Sequence, residues 1–490
     1  MPPAPESSSP HAQVAIPVHE KMLGNIKRLI WIYFLLLVFE GALRKWVLPQ
    51  LSTPLLIIRD PVLLLAYILA WRAGVFPRNR WVLALGIIGF LSLVASVVPL
   101  WPYPPTRILF ISGYGFRANF FHLPLIFLMP AVLRREDVKK IGWWTLVLVV
   151  PMSLLMAAQF QAGPDSMLNR TASGEGEMIT AGSGKVRTSG TFSFIVGVVS
   201  YYGLATAFLI WAALKRGAYK NWLLIAAGSG LVIGIVVSGS RSVVAACALV
   251  IVSLLAVLIL RPRAVNRLGQ ALVITVVLGF ILTKTPVFKE GLEVLTTRFS
   301  DVAEATEQSI SAGMISRTME GFTNGIFILG KAPFLGFGLG IGTNAAAQFL
   351  TGETAFLLSE EEWSRIFLES GPVLGLAYVL WRCGLAFHIG FLCLKSVRGG
   401  NILPLLLFSS SFLSLINGQF GQPTILGFTV FVSGLALAAR DEAEEKTLPS
   451  GAPKKSDLTT KRVVGRRSPY ADRLHRPVAP RDQNNGSLDR

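Results

Sequence analysis

Charged side chains at the ends of apolar runs are the residues of this sequence that could do chemistry. A charge is costly at membrane depth and usually marks a pathway or a partner. A planar guanidinium group binds phosphate through paired hydrogen bonds, so several arginines on one side would suit a pyrophosphate-bearing ligand. Snorkelling to lipid headgroups or ion pairing is the alternative for any single one. The set consists of Arg44, Lys45, Arg107, Arg187, Arg241, Arg298, Arg317 and Arg365.

Three adjacent glutamates, Glu360, Glu361 and Glu362, are the candidates for a general base. Adjacent like charges disfavour each other's ionisation, and a partly desolvated carboxylate can take the proton of a hydroxyl group. A solvated acidic loop, or a set of partners for Arg365, is the alternative. If a helix begins this early, Glu362, Arg365 and Glu369 share one face of it and form a charged ladder.

The segment Ser238-Gly239-Ser240-Arg241-Ser242 separates two long apolar runs and is short enough to predict a tight hairpin. Glycine permits the turn, Ser238 and Ser240 can bind freed backbone groups, and Arg241 presents its donors at a fixed depth. A second short loop, 417–424 (NGQFGQPT), carries amides that could bind sugar hydroxyls, or it forms a plain turn.

The elements that must position these residues are membrane helices. Of the 490 residues, 52% are hydrophobic and 15% are charged, which is more apolar than a soluble core requires. Repeated apolar runs near ~20 residues match the hydrocarbon thickness and predict an all-α polytopic membrane protein of about twelve transmembrane helices. The predicted spans are 25–43, 54–71, 81–100, 108–133, 141–161, 191–213, 221–238, 242–260, 269–284, 371–394, 402–416 and 424–439.

Lys and Arg residues in alternate connections predict that both termini are cytoplasmic, by the positive-inside rule. The predicted organisation has a cytoplasmic leader at 1–24, spans 1–9 within 25–284, a large extracytoplasmic loop at 285–370 and spans 10–12 within 371–439. A disordered, basic cytoplasmic tail follows at 440–490. Because connections on the outer side are longest, at 163–189 and 285–370, we expect the functional residues there.

Charge and cysteine content argue against several classes of protein. The net charge of +18 is spread over short loops between spans, so topology explains it better than nucleic-acid binding does. The three cysteines lie in apolar runs without metal-ligand spacing, so we expect neither disulfides nor structural zinc. No Asp-x-Asp pair is present to bind a nucleotide sugar with magnesium. We therefore expect no metal site and no cofactor.

Several segments between about 180 and 380 resemble the O-antigen ligase and polysaccharide polymerase superfamily. The hairpin Ser238-Gly239-Ser240-Arg241 is similar to that family's signature. Arg317 followed by PFLGFGLG at 333–340 resembles its Arg and Pro-x-x-G-x-G-x-G arrangement, and Glu369-Ser370-Gly371-Pro372 resembles its Glu-x-Gly entry into the next span. Arg187, which precedes Gly190-Thr191-Phe192, is similar to another segment of that family, an arginine just before the sixth span. One difference concerns the ligases' His-Asn pair, because Glu360 and Glu361 stand at those positions.

The resemblance implies a metal-independent membrane glycosyltransferase of the bacterial cytoplasmic membrane. Its donor would be an undecaprenyl-pyrophosphate-linked glycan, its acceptor a sugar on the outer face, and its other partners membrane lipid and polysaccharide assembly proteins. The residues implied to bind substrate are Arg187, Ser238, Ser240, Arg241, Arg317, Arg365 and Glu369. Two alternatives stay open: a transporter or flippase for a lipid-linked or anionic glycan, and a non-catalytic polysaccharide assembly protein.

Overall fold

Helices make up almost all of the regular structure, as the apolar sequence predicts. A computed structural model describes residues 10–172, 180–182, 185–215, 217–260, 286–306, 310–352 and 356–442. All of them belong to one unit, Met1–Ala443. The second unit, Glu444–Arg490, lies outside the described residues, as does nearly all of the predicted tail.

The helices follow the predicted spans along the chain. Each predicted span overlaps a helix except the one at 269–284, which lies outside the described residues. In chain order the helices are α1 (Pro10–Ala42), α2 (Arg59–Arg72), α3 (Arg80–Ala95), α4 (Val97–Leu100), α5 (Pro105–Phe116), α6 (Leu125–Val132), α7 (Arg135–Gln161), α8 (Ile195–Leu214), α9 (Asn221–Val237), α10 (Arg241–Leu260), α11 (Pro286–Thr306), α12 (Ile310–Leu329), α13 (Asn344–Thr351), α14 (Glu362–Arg398), α15 (Leu403–Asn417) and α16 (Pro423–Ala438).

Among the described residues, 6 helical stretches are long and apolar enough to cross a membrane. The pair Pro105–Phe121 and Leu125–Val132, bent by 43°, raises this to 7 if the pair is one span. Helices α9, α10, α15 and α16 are apolar but shorter. Apolar side chains on the outer surface, such as Phe90 in the middle of α3, are exposed as lipid-facing residues must be. The chain is therefore a multi-pass membrane protein, and the count of about twelve spans stays a prediction.

Helix α1 begins earlier than the predicted first span. It starts at Pro10, and the polar residues His19, Glu20 and Lys21 continue it with exposed side chains. Charged side chains do not interrupt helical hydrogen bonding, so the predicted boundary near 25 marks the start of the apolar run, whereas the helix itself begins sooner.

Helices α8 and α16 lie at the centre of the bundle. Helix α16 packs against α6, α8 and α15, and its residues from Leu426 to Ala438 are all buried. Such helices, apolar on every side, are expected where neighbouring helices surround them. The polar residues described below lie at the ends of this bundle.

The predicted large loop is itself largely helical. Helices α11 and α12 occupy most of its first half. No helix forms at 333–342, as its glycine content predicts. In the other long connection, Thr180–Gly182 pairs antiparallel with Lys185–Val186. Both predicted long connections thus contain regular secondary structure in their described parts.

Candidate functional site

Helix α14 is broken at the motif Glu369-Ser370-Gly371-Pro372. Gly371 has φ 73° and ψ 174°, a region that favours glycine. The carbonyl group of Leu368, freed by the break, accepts a hydrogen bond from Phe337 N at 2.7 Å. The segment Glu362–Ser370 is therefore a short helix of its own, which precedes the span.

The glycine turn at 333–342 packs backbone against backbone between this break and α5. Gly340 has φ +92°, and a Cβ atom added there would collide with Ile111 O and lie 2.8 Å from backbone atoms of Gly115. A Cβ atom at Gly336 would collide with the carbonyl group of Glu369. These glycines are required because two neighbouring backbones approach them closely, which holds α5 and the start of α14 together.

Glu362, Arg365 and Glu369 form the charged ladder that their spacing predicts. Arg365 Nε donates to Glu362 Oε2 at 3.0 Å, and Arg365 Nη1 lies 2.8 Å from Glu369 Oε2. All three side chains are buried. Charges removed from water are stable only when they are paired, so the ladder is a structural requirement at this depth.

Two residues that the sequence did not single out complete the ladder. Arg382, on the span part of α14, places Nη1 2.6 Å from Glu362 Oε1, and Arg365 Nη2 donates to Asn119 Oδ1 at 2.9 Å. Two glutamates and two arginines make the network neutral. Arg382 stands within an apolar run, and this intramembrane charge was the signal that could have identified it.

The three candidate bases have different surroundings. Glu362 accepts hydrogen bonds from two guanidinium groups, which stabilise its charged form and make it a weak base. Glu361 accepts from Asn324 Nδ2 at 2.8 Å and from Ser364 Oγ at 3.1 Å. Glu360 is exposed, and among the described contacts its carboxylate has no hydrogen-bond partner. Of these three, only Glu360 is therefore free to accept a proton.

Glu360 is one of the residues that line a small, partly open cleft. Gln419 Nε2 donates to the backbone carbonyl of Glu360, and Gln422 Nε2 donates to the side chain of Gln419. The loop at 417–424 thus brings its amides to the same cleft. Arg365 and Glu362 form its floor, whereas Asn344, Phe356 and Ser359 belong to its walls.

The hairpin between α9 and α10 has the predicted form. It consists of Ser238–Ser240, with Gly239 at φ +54°, and Arg241 is the first residue of α10. Ser238 Oγ accepts from Ser240 N at 3.2 Å and donates to Ile235 O at 2.7 Å. Both serines are buried, and the Ser238 side chain holds the turn by binding the backbone on either side of it.

Arg187 lies beside this hairpin. Thr188 Oγ1 donates to Val237 O at 3.1 Å, which fixes the backbone next to Arg187 against the end of α9. Arg187 Nε is buried and has no hydrogen-bond partner among the described residues. A buried guanidinium donor without a partner is costly, and an anion would satisfy it.

The basic end of α1 contacts the same segment. Lys45 Nζ donates to Ser189 Oγ at 3.1 Å and to Gly190 O at 2.7 Å, and Arg44 Nη1 donates to Ser193 Oγ at 2.9 Å. The structure thereby brings together Arg44, Lys45, Arg187 and the hairpin, which are far apart in the sequence. We call these residues, with Ser238, Ser240 and Arg241, the hairpin group.

The charges inside the spans form ion pairs with residues that are distant in the sequence. Arg59 Nε lies 2.9 Å from Glu40 Oε2. Asp60 binds Arg117 Nε at 2.6 Å and His122 Nε2 at 3.0 Å. Because the neighbours Arg59 and Asp60 pair with different residues of other helices, sequence proximity could not identify these pairs.

No described hydrogen bond joins the cleft directly to the hairpin group. Arg59 connects them indirectly, since it binds Glu40 on α1 and also donates from Nη2 to Pro423 O at 2.7 Å, next to Gln422 of the cleft. Arg317 lies in α12, and its side chain is outside what the structure describes. The candidate site is therefore the cleft at Glu360 together with the hairpin group.

In the part of the chain that the structure describes, no group of three or more His, Cys, Asp or Glu residues could hold a metal ion. Comparison of the chain with known protein families gave no matching family model, and no curated protein matches it.

Proposed function

We propose that this protein is a membrane glycosyltransferase, O-antigen ligase-like or a polysaccharide polymerase. It transfers a glycan from an undecaprenyl-pyrophosphate donor to a sugar acceptor on the outer face of the bacterial cytoplasmic membrane. The observation that carries the proposal is the cleft in which the exposed carboxylate of Glu360 stands beside the amides of Gln419 and Gln422.

The reaction exchanges one bond at the anomeric carbon of the donor. Glu360 takes the proton of an acceptor hydroxyl group as that oxygen bonds to the anomeric carbon. The bond between this carbon and the pyrophosphate oxygen breaks, and undecaprenyl pyrophosphate leaves with the electron pair. The amides of Gln419 and Gln422 orient the hydroxyl groups of the acceptor.

Arg187 and Arg241 are the proposed ligands of the pyrophosphate. Buried guanidinium donors stabilise the negative charge that grows on a departing phosphate. The unsatisfied Nε of Arg187 supports this role, and Lys45 and Arg44 add positive charge on the same segment. Ser238 and Ser240 support the site by shaping the hairpin, and Arg365 and Glu369 by holding the floor of the cleft.

The same proposal includes a membrane topology of twelve spans with both termini in the cytoplasm. This topology puts the ends of α1 and α9 and the start of α14, and with them the cleft and the hairpin group, on the outer side. Polysaccharide assembly proteins and membrane lipid are its expected partners.

A second function, transport of a lipid-linked or anionic glycan, is favoured by one specific observation. The pair Pro105–Phe121 and Leu125–Val132 is bent by 43°, and Arg117 at the break is paired with Asp60 inside the bundle. Broken helices with internal charges occur in transporters. We rank transport second because the exposed carboxylate and amides of the cleft have no role in it.

Glu360→Gln tests the transferase directly in cells. We expect surface polysaccharide to be lost or shortened and undecaprenyl-linked intermediates to accumulate at a normal membrane level of the protein, because removal of a general base lowers a rate by about 100-fold or more. Gel profiles and mass spectrometry of the glycan lipids measure this.

The matched control is Glu320→Gln, which neutralises another exposed glutamate, in α12, that does not line the cleft. It should leave the profile unchanged. An unchanged profile for Glu360→Gln as well would remove the proposed base and favour the non-catalytic assembly protein.

A further inference from the structure

Apolar side chains are exposed on α13, which the sequence assigns to the extracytoplasmic loop, and around the start of α5, where a predicted span begins. Trp101 is 76% exposed and Leu109 is 75% exposed. Phe110, which follows Leu109 in the sequence, and Phe349 are exposed as well. Large apolar side chains that are exposed close together mark a contact with another apolar phase.

The position of Phe349 is fixed relative to a membrane span. Its ring centroid lies 4.4 Å from that of Phe110, on the exposed side of α5. Helix α5 belongs to the bent helix pair that is apolar enough to cross a membrane. Because side chains on the exposed side of a span contact lipid, a ring packed against one of them lies at a similar depth.

The other side of α13 is anchored. Leu100, Ile111 and Ala346 form a small buried cluster, against which Leu350 also packs. Thr343 Oγ1 caps the helix by accepting from Ala346 N at 3.3 Å. The outward face of α13 is therefore held in a fixed orientation by packing.

A positive charge lies beside the patch, where it could bind the phosphate of a lipid headgroup. Arg107 is exposed, and its guanidinium carbon lies 6.0 Å from the centre of the Phe349 ring. Aromatic residues with an adjacent arginine are typical of the boundary between headgroups and acyl chains, where the cation binds phosphate. The patch also continues onto the lipid-facing side of a span. Contact with lipid explains this continuity, whereas contact with a partner protein would not require it.

We propose that Trp101, Arg107, Leu109, Phe110 and Phe349 form a lipid seat, by which α13 lies in the headgroup and acyl boundary of the bilayer. Its occupant is phospholipid. This inference does not depend on the proposed glycosyltransferase. It has a geometric consequence, because Asn344 begins α13 and also lines the cleft: the cleft opens at the membrane surface.

Spin-label depth measurement tests the lipid seat. The full chain, with Cys247, Cys383 and Cys393 replaced by alanine, carries a nitroxide at Phe349→Cys and is placed in nanodiscs of phosphatidylcholine with a minority of phosphatidylglycerol. We expect the ratio of oxygen to nickel-chelate accessibility to be several-fold higher than at Glu320→Cys, an exposed position on α12, and lower than at Phe90→Cys in mid-span.

Two results would overturn the proposal. A ratio equal to that at Glu320→Cys would place α13 in water. Low accessibility to both reagents, with dipolar coupling between labels on different molecules, would show that a second copy of the chain covers the patch. Leu109→Cys, measured in the same way, must agree with Phe349→Cys, and it serves alone if the first variant is not monodisperse.

Discussion

At the residue scale, the partners of each charge decide which side chains are available for chemistry. Arg365 forms ion pairs with Glu362 and Glu369, and Arg382 forms an ion pair with Glu362 and donates to the backbone carbonyl of Leu415, so both arginines hold the ends of helices together. Arg187 differs, because no ion pair is described for it and its buried Nε has no hydrogen-bond partner among the described residues. The same distinction separates Glu362 from Glu360. We therefore expect the chemistry at Arg187 among the arginines and at Glu360 among the glutamates.

Arg187→Ala should lower glycan transfer by about 100-fold, as loss of a preorganised donor to a developing anion does. Arg187→Lys should recover only part of it, because an ammonium group lacks the paired geometry of a guanidinium. Accumulated lipid-linked glycan, quantified by mass spectrometry, is the measure. Arg170→Ala, at an exposed arginine in the same connection, is the control and should behave as wild type. Equal effects of both alanine variants would exclude a specific role for Arg187.

Glu362→Gln should destabilise the fold by about 3–5 kcal/mol, because it leaves Arg365 and Arg382 buried with one charge uncompensated. The measurement is the thermal midpoint of the detergent-purified protein. Glu361→Gln, at the adjacent part-buried glutamate, should cost less than about 1 kcal/mol. A midpoint for Glu362→Gln as high as for Glu361→Gln would show that the network does not stabilise the fold.

At the element scale, the glycine turn at 333–342 acts as a fitted spacer between α5 and the break in α14. Close contact between backbones, rather than a bound ligand, accounts for Gly336 and Gly340. The turn thereby couples the lipid seat on α13 to the cleft, since both adjoin it. A change in the turn should disturb both at once.

Gly340→Ala should lower the amount of folded protein, because the added Cβ atom collides with α5 and the residue has φ +92°. Gly352→Ala is a matched control: its φ is +80°, but nothing lies within 4 Å of an added Cβ atom. The control variant should lose only about 1–2 kcal/mol of stability, because alanine is strained in this left-handed backbone conformation. Membrane levels and size-exclusion profiles compare the two, and an equal loss would refute the close approach.

The elements were largely predictable from the sequence, whereas the pairing of their polar residues was not. Apolar runs predicted the positions of the described helices, and three- and four-residue spacing predicted the ladder of Glu362, Arg365 and Glu369. Asn119 and Arg382 join that ladder through tertiary contacts, which spacing does not encode. The start of α1 was missed because polar residues continue the helix beyond its apolar part.

At the scale of the whole molecule, the helix ends that carry polar residues come together in two groups linked by Arg59. The ends of α1 and α9 meet the segment before α8, and the start of α14 meets the loop before α16. In the proposed topology, each of these ends lies on the outer side. Sidedness is therefore a prediction about the entire chain.

Cysteine labelling in intact cells checks that sidedness. Single cysteines at the exposed positions Arg170 and Glu320 should react with a membrane-impermeant maleimide, whereas those at Arg78 and Lys395 should react only after permeabilisation. The reverse pattern would invert the topology, and labelling of all four in intact cells would contradict any fixed orientation.

Reconstitution is the most direct test of the proposed transferase. Purified protein in liposomes is supplied with an undecaprenyl-pyrophosphate-linked glycan and a sugar acceptor, and the products are identified by mass spectrometry. We predict an extended acceptor and free undecaprenyl pyrophosphate with the wild type, and neither with Glu360→Gln. If the donor instead crosses the bilayer unchanged and no extended acceptor forms, the protein is a transporter and Glu360 is not a catalytic base.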